Sequence, residues 1–506
     1  MKKSLVAIGI IAIVGSAWTG STWYMGKLIE QRMEKMVDQS NAILKEYLPE
    51  AGLQLSYQDY QRGLFSSHFR YILQSDANSS GEKWLKAGDK ITFVEQINHG
   101  PFPLSQLKKF NFIPSMAVVH SELENTPRMA SLFEITKGQA PLSAISNIPY
   151  QGNIASVISI SPMESEQKTA SLQFSGATIN ADVSEDLRNV TLDASSDSFL
   201  FTNKGYNNQL EKYSLQGITL KSTSSKGKFN LAIGDEQLAV KQMSLDANGK
   251  NIALLEGLIL NTYLGESDEH LNTKLNYSLA GLKIKGNDFG SGKLILSINR
   301  LDGKAMKEFI TAYNQEALQT IQQGEDFEAQ ELSDILWSQL PMLLKGNPIL
   351  NIEPLSWKNS KGESMLNLNV ELIDPATNTT TANNTLQKSF LAQRVKKIDA
   401  TLTIPQAMAT HLTMQIALLA GYNVEESQKL AEQQVQGLVA MGKIFRLTTN
   451  KDDIISSSFH YADNQIDLNS KKLSLQEFIG LFGLFNPINE EPAPEHPSEQ
   501  MPSPEQ

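Results

Sequence analysis

The sequence predicts an α+β protein: an N-terminal transmembrane helix, then a β-rich periplasmic body of long antiparallel meanders with helical insertions in its C-terminal half. Three observations predict this. No residue between Lys3 and Lys27 is charged. From Leu53 onward, short stretches rich in aromatic and β-branched residues alternate apolar with polar. After Gly303 the apolar spacing changes to three and four. Alternation with period two gives a strand one buried and one wet face, the mark of antiparallel sheet, whereas three-and-four spacing marks a helix face.

A chain of 506 residues exceeds what one hydrophobic core supports, since cores stop growing near roughly 250–300 residues. The expected division is a transmembrane anchor at 1–26, a helical stalk at 27–48, an antiparallel β-rich region at 49–300, a mixed α+β region at 301–485 and a disordered tail at 486–506. With 41% hydrophobic and 20% charged residues the chain can meet the entropy cost of a globular fold. A net charge of -11 and only isolated lysine doublets argue against a nucleic-acid partner, which needs a clustered basic face. The chain holds 0 cysteines, so disulfides, thiolate metal sites, cysteine nucleophiles and a lipid-modified cysteine drop out together.

The anchor is read from Leu5, Ile8, Ile11 and Val14, followed by Trp18, Trp23 and Tyr24 as an interfacial aromatic belt. Lys2 and Lys3 place the N-terminus in the cytoplasm and the bulk in the periplasm of a bacterial inner membrane, as a single-pass protein. Leu5–Val14 also fits a signal-peptide core with Gly15-Ser16-Ala17 as a cleavage site, and the anchor is preferred because the uncharged stretch runs on past it. Ala12, Ser16 and Gly20 recur every four residues and would let a second helix approach closely. Ile29, Met33, Met36, Ser40, Ile43 and Tyr47 form a heptad-like stripe. Two readings of that stripe stand open: a stalk that forms a homodimer, or a helix packed on the protein's own sheet.

Strands are expected at Leu53–Tyr57, Ile154–Ile160, Leu172–Phe174, Pro348–Trp357, Ser364–Ile373, Ile398–Ile404 and Ile454–Tyr461. Tyr213–Lys221 and Tyr277–Lys285 share one pattern, each leading to a second strand at Gly227–Ile233 and Gly292–Ile298, which suggests a repeated hairpin. Helices are expected at Gly303–Gln323 and Glu328–Leu344, with a Thr/Asn-rich loop at Asp374–Thr385. Pro405 opens a further helix that Gly421 closes, and Val424–Phe445 carries an apolar stripe of Leu430, Val435, Leu438 and Met441. The tail from Asn486 holds six prolines and five glutamates in 21 residues and cannot bury a core.

Arg62-Gly-Leu-Phe-Ser-Ser67, His99-Gly-Pro-Phe-Pro-Leu104, Ile113-Pro-Ser-Met-Ala117, Gly290-Ser-Gly-Lys-Leu294, Pro354–Ser360 and Phe445-Arg-Leu-Thr-Thr449, with Met1–Ala7 and Trp18-Thr-Gly20, resemble the YdgA family of enterobacterial envelope proteins of unknown function. The resemblance covers almost the whole chain apart from the Pro/Glu tail. It implies an inner-membrane location, self-association and a loose link to surface motility, and it supplies no catalytic or binding residue.

The chemistry is sparse. The seven histidines at 68, 99, 120, 270, 411, 460 and 496 include no pair at the spacing of a helical metal site. His99, in a rigid turn with Gly100-Pro101-Phe102-Pro103, is the one held in place best, and the ordinary reading makes it a turn residue bonded to backbone. Ser165-Glu-Gln-Lys168 fits Ser-x-x-Lys without the companion motifs of acylating enzymes, and Gly286–Gly292 reads as a turn. The expected function is therefore a non-enzymatic envelope protein without cofactor or metal, whose body binds a partner protein or its own copy. A second reading is a lipid-contacting or lipid-transfer protein with an apolar groove on a long sheet, as in AsmA-like envelope proteins, and it predicts a continuous apolar strip on one sheet face. A third is a periplasmic hydrolase with His99 or a carboxylate pair in a cleft.

Overall fold

The computed structural model describes residues 2–47, 52–75, 85, 88–205, 209–323, 338, 340–374 and 394–483; the side chains of residues 2–15, 46, 47, 315–323, 479, 482 and 483 lie outside that description. Helix α1 spans Lys2–Tyr47. The first strands are β1 (Leu53–Arg62), β2 (Ser66–Ser75), β3 (Lys90–His99), β4 (Ala117–Leu123), β5 (Leu142–Ile148), β6 (Ile154–Ile160), β7 (Met163–Glu166), β8 (Ala170–Phe174) and β9 (Ala177–Val183). Short helices α2 (Leu104–Leu107) and α3 (Ala130–Ile135) sit in the connections. Six long strands follow: β10 (Asn189–Lys204), β11 (Leu210–Lys226), β12 (Ala232–Ala247), β13 (Lys250–Ser267), β14 (His270–Ile284) and β15 (Asn287–Asp302). Helix α4 (Gly303–Gln323) leads to β16 (Ile349–Asn359), β17 (Gly362–Leu372) and β18 (Val395–Pro405). A helical pair, α5 (Gln406–Leu419) and α6 (Val424–Ile444), precedes β19 (Thr449–Lys451), β20 (Ile454–Ala462), β21 (Gln465–Leu468), β22 (Lys471–Ser474) and α7 (Leu475–Gly483).

All 22 strands of the described residues belong to one antiparallel sheet. Its lateral order is β1-β2-β3-β4-β5-β6-β9-β10, then onward in sequence to β18, β20, β21 and β22. Strand β10 pairs with β9 along Val190–Ser195 and with β8 along Phe199–Asn203. The β-rich and mixed regions are not separate sheets, because β15 pairs directly with β16. Two compact clusters of buried apolar residues close the ends: Met33, Phe69, Ile97 and Ala117 at one, Val395, Tyr461, Ile466, Leu468 and Leu475 at the other. The described helices pack on β1–β3, β7, β14–β19, β21 and β22.

Most of the expected elements are present, with informative exceptions. The proposed hairpin repeat is not structural: Gly227–Leu231 forms a turn closed by Gly227 N–H to Leu231 O at 2.9 Å, while Gly292–Ile298 lies inside β15. Strands β11 and β14 are three steps apart in an antiparallel meander, so they run in opposite directions. The shared pattern is common strand grammar. The stripe on α6 is also shifted, since Ser427, Ala431 and Val435 are buried while Leu438 is 66% and Met441 48% exposed. Small side chains at i, i+4 let α5 approach closely, and close approach wins over side-chain size. The expected helix at Glu328–Leu344, the loop after Asp374 and the Pro/Glu tail fall mainly outside the described residues.

Gly217 and Gly257 take left-handed φ values of +62° inside strands β11 and β13. On either side of this line the apolar positions change parity, as in Leu238 and Val240 against Met243 and Leu245 on β12. A left-handed residue in a strand re-aims the side chains that follow it, so the apolar set keeps to one face. A Cβ on Gly257 would meet the Ala280 Cβ at 2.8 Å. Gly257→Val is expected to cost at least ~2 kcal/mol, combining the φ penalty with the clash, read as a lower midpoint in urea unfolding.

Candidate functional site

Helix α1 lies against the first strands of the sheet rather than standing clear of them. Thr22, Met25, Gly26, Met33 and Val37 are buried along one face. The Asn41 side chain accepts from the Leu55 N–H at 2.7 Å and donates to the Leu55 C=O at 2.9 Å, satisfying both backbone groups on the free side of edge strand β1. Arg62 pairs with Glu30 at 2.9 Å and, with Lys27, flanks the Trp23 ring at 5.5 and 5.7 Å. Trp18 packs on Phe65 with ring centroids 5.1 Å apart.

Gly26 sits directly on His99. A Cβ at Gly26 would meet the imidazole Cε1 at 2.5 Å, so only glycine lets the helix approach this far. His99 is 1% exposed; its Nε2 lies 2.9 Å from the Ser67 Oγ and its Nδ1 3.4 Å from the Leu64 carbonyl, and the Tyr60 hydroxyl donates to Ser67 at 3.0 Å. Desolvation lowers the His99 pKa, the Leu64 carbonyl works against that and Arg62 adds to it. A neutral ring that donates from Nδ1 and accepts at Nε2 completes the chain Tyr60, Ser67, His99, Leu64. A hydroxyl beside an imidazole is the geometry of an activated nucleophile, yet Ser67 is 0% exposed and α1 roofs the pair. The histidine singled out in the sequence is the last residue of β3 rather than a turn residue, its ring is held by the Ser67 hydroxyl as well as by the Leu64 carbonyl, and it is the seat of α1.

Beside this contact, α1 and the sheet enclose a cavity of about 730 Å³. Its floor includes Phe69, Tyr71, Ile97, Val119 and Ile148, and its α1 wall includes Ile29 and Met36. At the mouth Arg32 and Lys35 are exposed and, among the described residues, make no ion pair; Glu185 lies on the opposite rim. In the floor stands Glu95, 3% exposed. Burial pushes its pKa up to about 7 even though the Ser121 hydroxyl, donating at 2.5 Å, pulls the other way. Tyr71 is pushed up to about 12, by burial first and by Glu95 second.

Glu95 opens a longer feature. Directly opposed residues of an antiparallel pair share a face, so the register can be followed from strand to strand. From Phe69 the line runs through Glu95, Ser121, Ala144, Ile158, Ile179, Ala194, Leu220, Leu238, Leu260, Tyr277, Leu294, Leu355, Leu366 and Leu402. At ~4.8 Å per strand the strip is roughly 65 Å long. A second row, Ile218, Val240 and Leu258, runs beside it on the same face. Along β6, β9 and the first half of β10 the strip face is half-buried where the other face is exposed, the behaviour of a sheet rolled toward its apolar side. From Ala194 to Leu402 no strip residue is fully buried, and Leu220 and Leu355 are 38% and 45% exposed.

The sequence-predicted site residues divide. Leu5, Ile8, Ile11, Ala12 and Val14 lie outside the described side chains. Among the described residues no helix is long and apolar enough to cross a membrane. Trp23 and Tyr24 are 45% and 60% exposed, and Ser16 and Gly20 are exposed. Of the stalk stripe, Met33 is 1% exposed in the core and Ile29 packs against it, while Met36, on the cavity wall, and Ile43 are 39% and 37% exposed. The reading in which the helix packs on its own sheet therefore describes Met33 and Ile29. Packing starts at Trp18, so the expected boundary at residue 26 does not separate anchor from body. The strip escaped sequence reading because register across fifteen strands is not written in any local pattern. A cross-strand trio on β18 and β20 escaped for the same reason: Asp399 accepts from Lys397 and lies 2.6 Å from His460 Nδ1, and these two hold its carboxyl below the usual range. Ser165 and Lys168 lie on β7 and the turn after it; among the described residues no three His, Cys, Asp or Glu side chains form a metal-binding group.

The family model for bacterial proteins of unknown function, DUF945, matches residues 1–476. Protein YdgA of Escherichia coli strain K12 is 40% identical over 494 residues, covering 96% of this chain and 97% of that protein. The uncharacterized protein YihF of the same strain is 26% identical over 494 residues, covering 96% and 99%. An uncharacterized protein of Haemophilus influenzae is 24% identical over 326 residues, covering 61% and 85%. No solved structure matches the chain.

The Glu95 carboxyl fixes a pH dependence. Its folded pKa of about 7 lies above the ordinary 4.5, so the folded protein binds more protons between those values. Its contribution is complete below pH ~4.5 and is lost as pH rises toward 7. Glu95→Gln is expected to raise the stability at pH 8 by about 3 kcal/mol and to leave it unchanged at pH 4, in denaturant titrations of both proteins. An equal shift at both pH values would contradict the assignment.

Proposed function

The chain belongs to the DUF945 family of bacterial proteins of unknown function, as its resemblance to the YdgA family implies, and from that premise we propose a non-enzymatic, lipid-contacting envelope protein. In this reading the uncharged N-terminal segment anchors it in the inner membrane, the body stands on the periplasmic side, and acyl chains lie along the apolar strip. The observation that carries the reading is the strip itself: one line on one face that leaves the α1 cavity through Glu95 and Ser121 and is apolar from Ala144 on β5 to Leu402 on β18. A soluble body that left such a line to water would lose about 25 cal/mol for every Å² of it, so a cover of matching chemistry is favoured. The cavity supplies an end for one chain, and Arg32 with Lys35 at its mouth suits a phosphate head group. The sealing of Ser67 and His99 under α1 weighs against acyl transfer at that pair.

A second reading keeps a protein partner or homodimer, favoured by Leu438, Met441 and Ile444, which stand 66%, 48% and 73% exposed on α6.

Native mass spectrometry of the full chain purified from membranes in mild detergent tests the proposal. Bound phospholipid is expected, and Val119→Trp, which fills the cavity, is expected to lower its retention severalfold. A lipid-free wild type that self-associates would overturn the reading in favour of the second. Because a chain laid over Glu95 strips its remaining water, binding takes up a proton. Affinity for lysophosphatidylglycerol is therefore expected to rise about tenfold from pH 8 to pH 6, with no such rise in Glu95→Gln.

A further inference from the structure

The face of the sheet opposite α1 carries a second concavity. Helix α2 and the chain that follows it fold back over β4 and β5, held there by the Gln106 side chain, which donates to the Asn147 Oδ1 at 2.9 Å. Between this cover and the sheet lies a groove of about 460 Å³. Register gives its floor. One row of opposed residues crosses β4, β5, β6, β9 and β10 through His120, Ile145, Val157, Asn180 and Asp193, and a parallel row includes Asn147 and Asp182. Each member of the first row is the sequence neighbour of a strip residue, Ile145 of Ala144 and Val157 of Ile158, so the groove faces away from the α1 cavity.

The middle of the floor is apolar and open, with Ile145 and Val157 41% and 44% exposed. Around it stand unpaired polar groups. The Ser105 Oγ and the Gln106 Oε1 are buried without a hydrogen-bond partner, and the side chains of His120, Asn180, Thr191 and Asp193 make no hydrogen bond or ion pair among the described residues. The contrast with the fully bonded chain from Tyr60 to His99 beneath α1 is complete. Buried polar groups of folded proteins are ordinarily paired, so orphans gathered around one concavity point to a ligand that pairs them. Burial first and Lys109 second lower the His120 pKa, against Glu122, which leaves a neutral ring with one donor and one acceptor.

We infer that this groove binds a saccharide, with a pyranose ring laid on Ile145 and Val157 and its hydroxyls paired by the polar side chains at the two ends of the floor. A pyranose suits both halves of the site. Its C–H face is apolar, and each hydroxyl on its rim both donates and accepts. The unpaired set needs that mixture: Asp193 only accepts, while Asn180, His120 and Ser105 each donate and accept. Other ligand classes fit less of it. A bare cation would use the acceptors alone and leave the apolar floor in water, and a phosphate would be repelled by Asp182 and Asp193. An extended peptide adds to a strand with free backbone groups, whereas β4, β5, β6 and β9 are each paired on both sides. Five strands at ~4.8 Å give the floor about 19 Å, enough for more than one ring. The site shares its strands with the lipid cavity but lies on their other face, so it stands or falls apart from the lipid reading.

Saturation-transfer NMR of the full chain in mild detergent tests the assignment, with chitotriose, maltotriose and mannotriose as probes, each at ~5 mM. Transfer to the ring protons of one or more of these sugars is expected. Asp193→Ala and Ile145→Asp are each expected to weaken that binding about tenfold or more, and Asp268→Asn, in the remote β13–β14 turn, to leave it unchanged. Asp193 is exposed and unpaired among the described residues, so its variant should unfold at the same urea midpoint as wild type and report the site alone. Absence of transfer from all three sugars to wild type would overturn the inference. So would transfer that survives both groove variants, which marks adventitious contact elsewhere. Calcium binding that Asp193→Ala abolishes, without transfer from any sugar, would overturn it in favour of a cation site.

Discussion

The contact of Gly26 with His99 is the constraint on which the rest of the structure depends. A helix of 46 residues has no reason of its own to lie along a sheet, and its free alternative is a stalk. What holds it is a seat without a Cβ above a neutral, buried imidazole, extended by Met33 in the core and by Asn41 on the edge of β1. Once α1 lies there, three things follow from one placement. The edge strand is covered, the cavity over Glu95 acquires a wall, and Trp18 is brought to the β1–β2 turn.

The sheet poses the opposite problem. Its two buried clusters sit at the ends, and between them the apolar residues of β9–β13 line up on one face without becoming fully buried, apart from Ala181 and Val240. A rolled sheet lowers the exposed area but does not remove it, and the left-handed glycines at 217 and 257 keep the apolar set on that face across a change of parity. Glu95 at the head of the strip fits the same picture. A carboxyl with a pKa near 7 is neutral in part at ordinary pH, and becomes wholly so when an apolar ligand excludes water from it.

Much of this architecture was legible in the residues. Period-two alternation located β6, β17, β18 and β20, and Pro405 with Gly421 bracketed α5, because each of these signals acts within a few residues. The heptad-like spacing of Ile29 and Met33 identified a buried helix face without naming what buries it. His99 stood out through its Pro/Gly setting, but its partner Gly26 lies more than seventy positions earlier, where a lone glycine in an apolar helix carries no signal. The Glu95 site was illegible for the same physical reason as the strip: both arise from register between strands, and register is set by turns and face burial over the whole sheet rather than by any segment.

Hydrogen exchange of wild type and Gly26→Leu, followed by mass spectrometry, tests the central claim most directly. A leucine at 26 cannot coexist with His99 in its present place, so exchange is predicted to rise together in Met25–Val37 of α1 and in the β1–β3 strands beneath it, while β16–β18 are unchanged. Identical protection of α1 and β1–β3 in the two proteins would mean that the helix is not seated on His99, and would contradict the account.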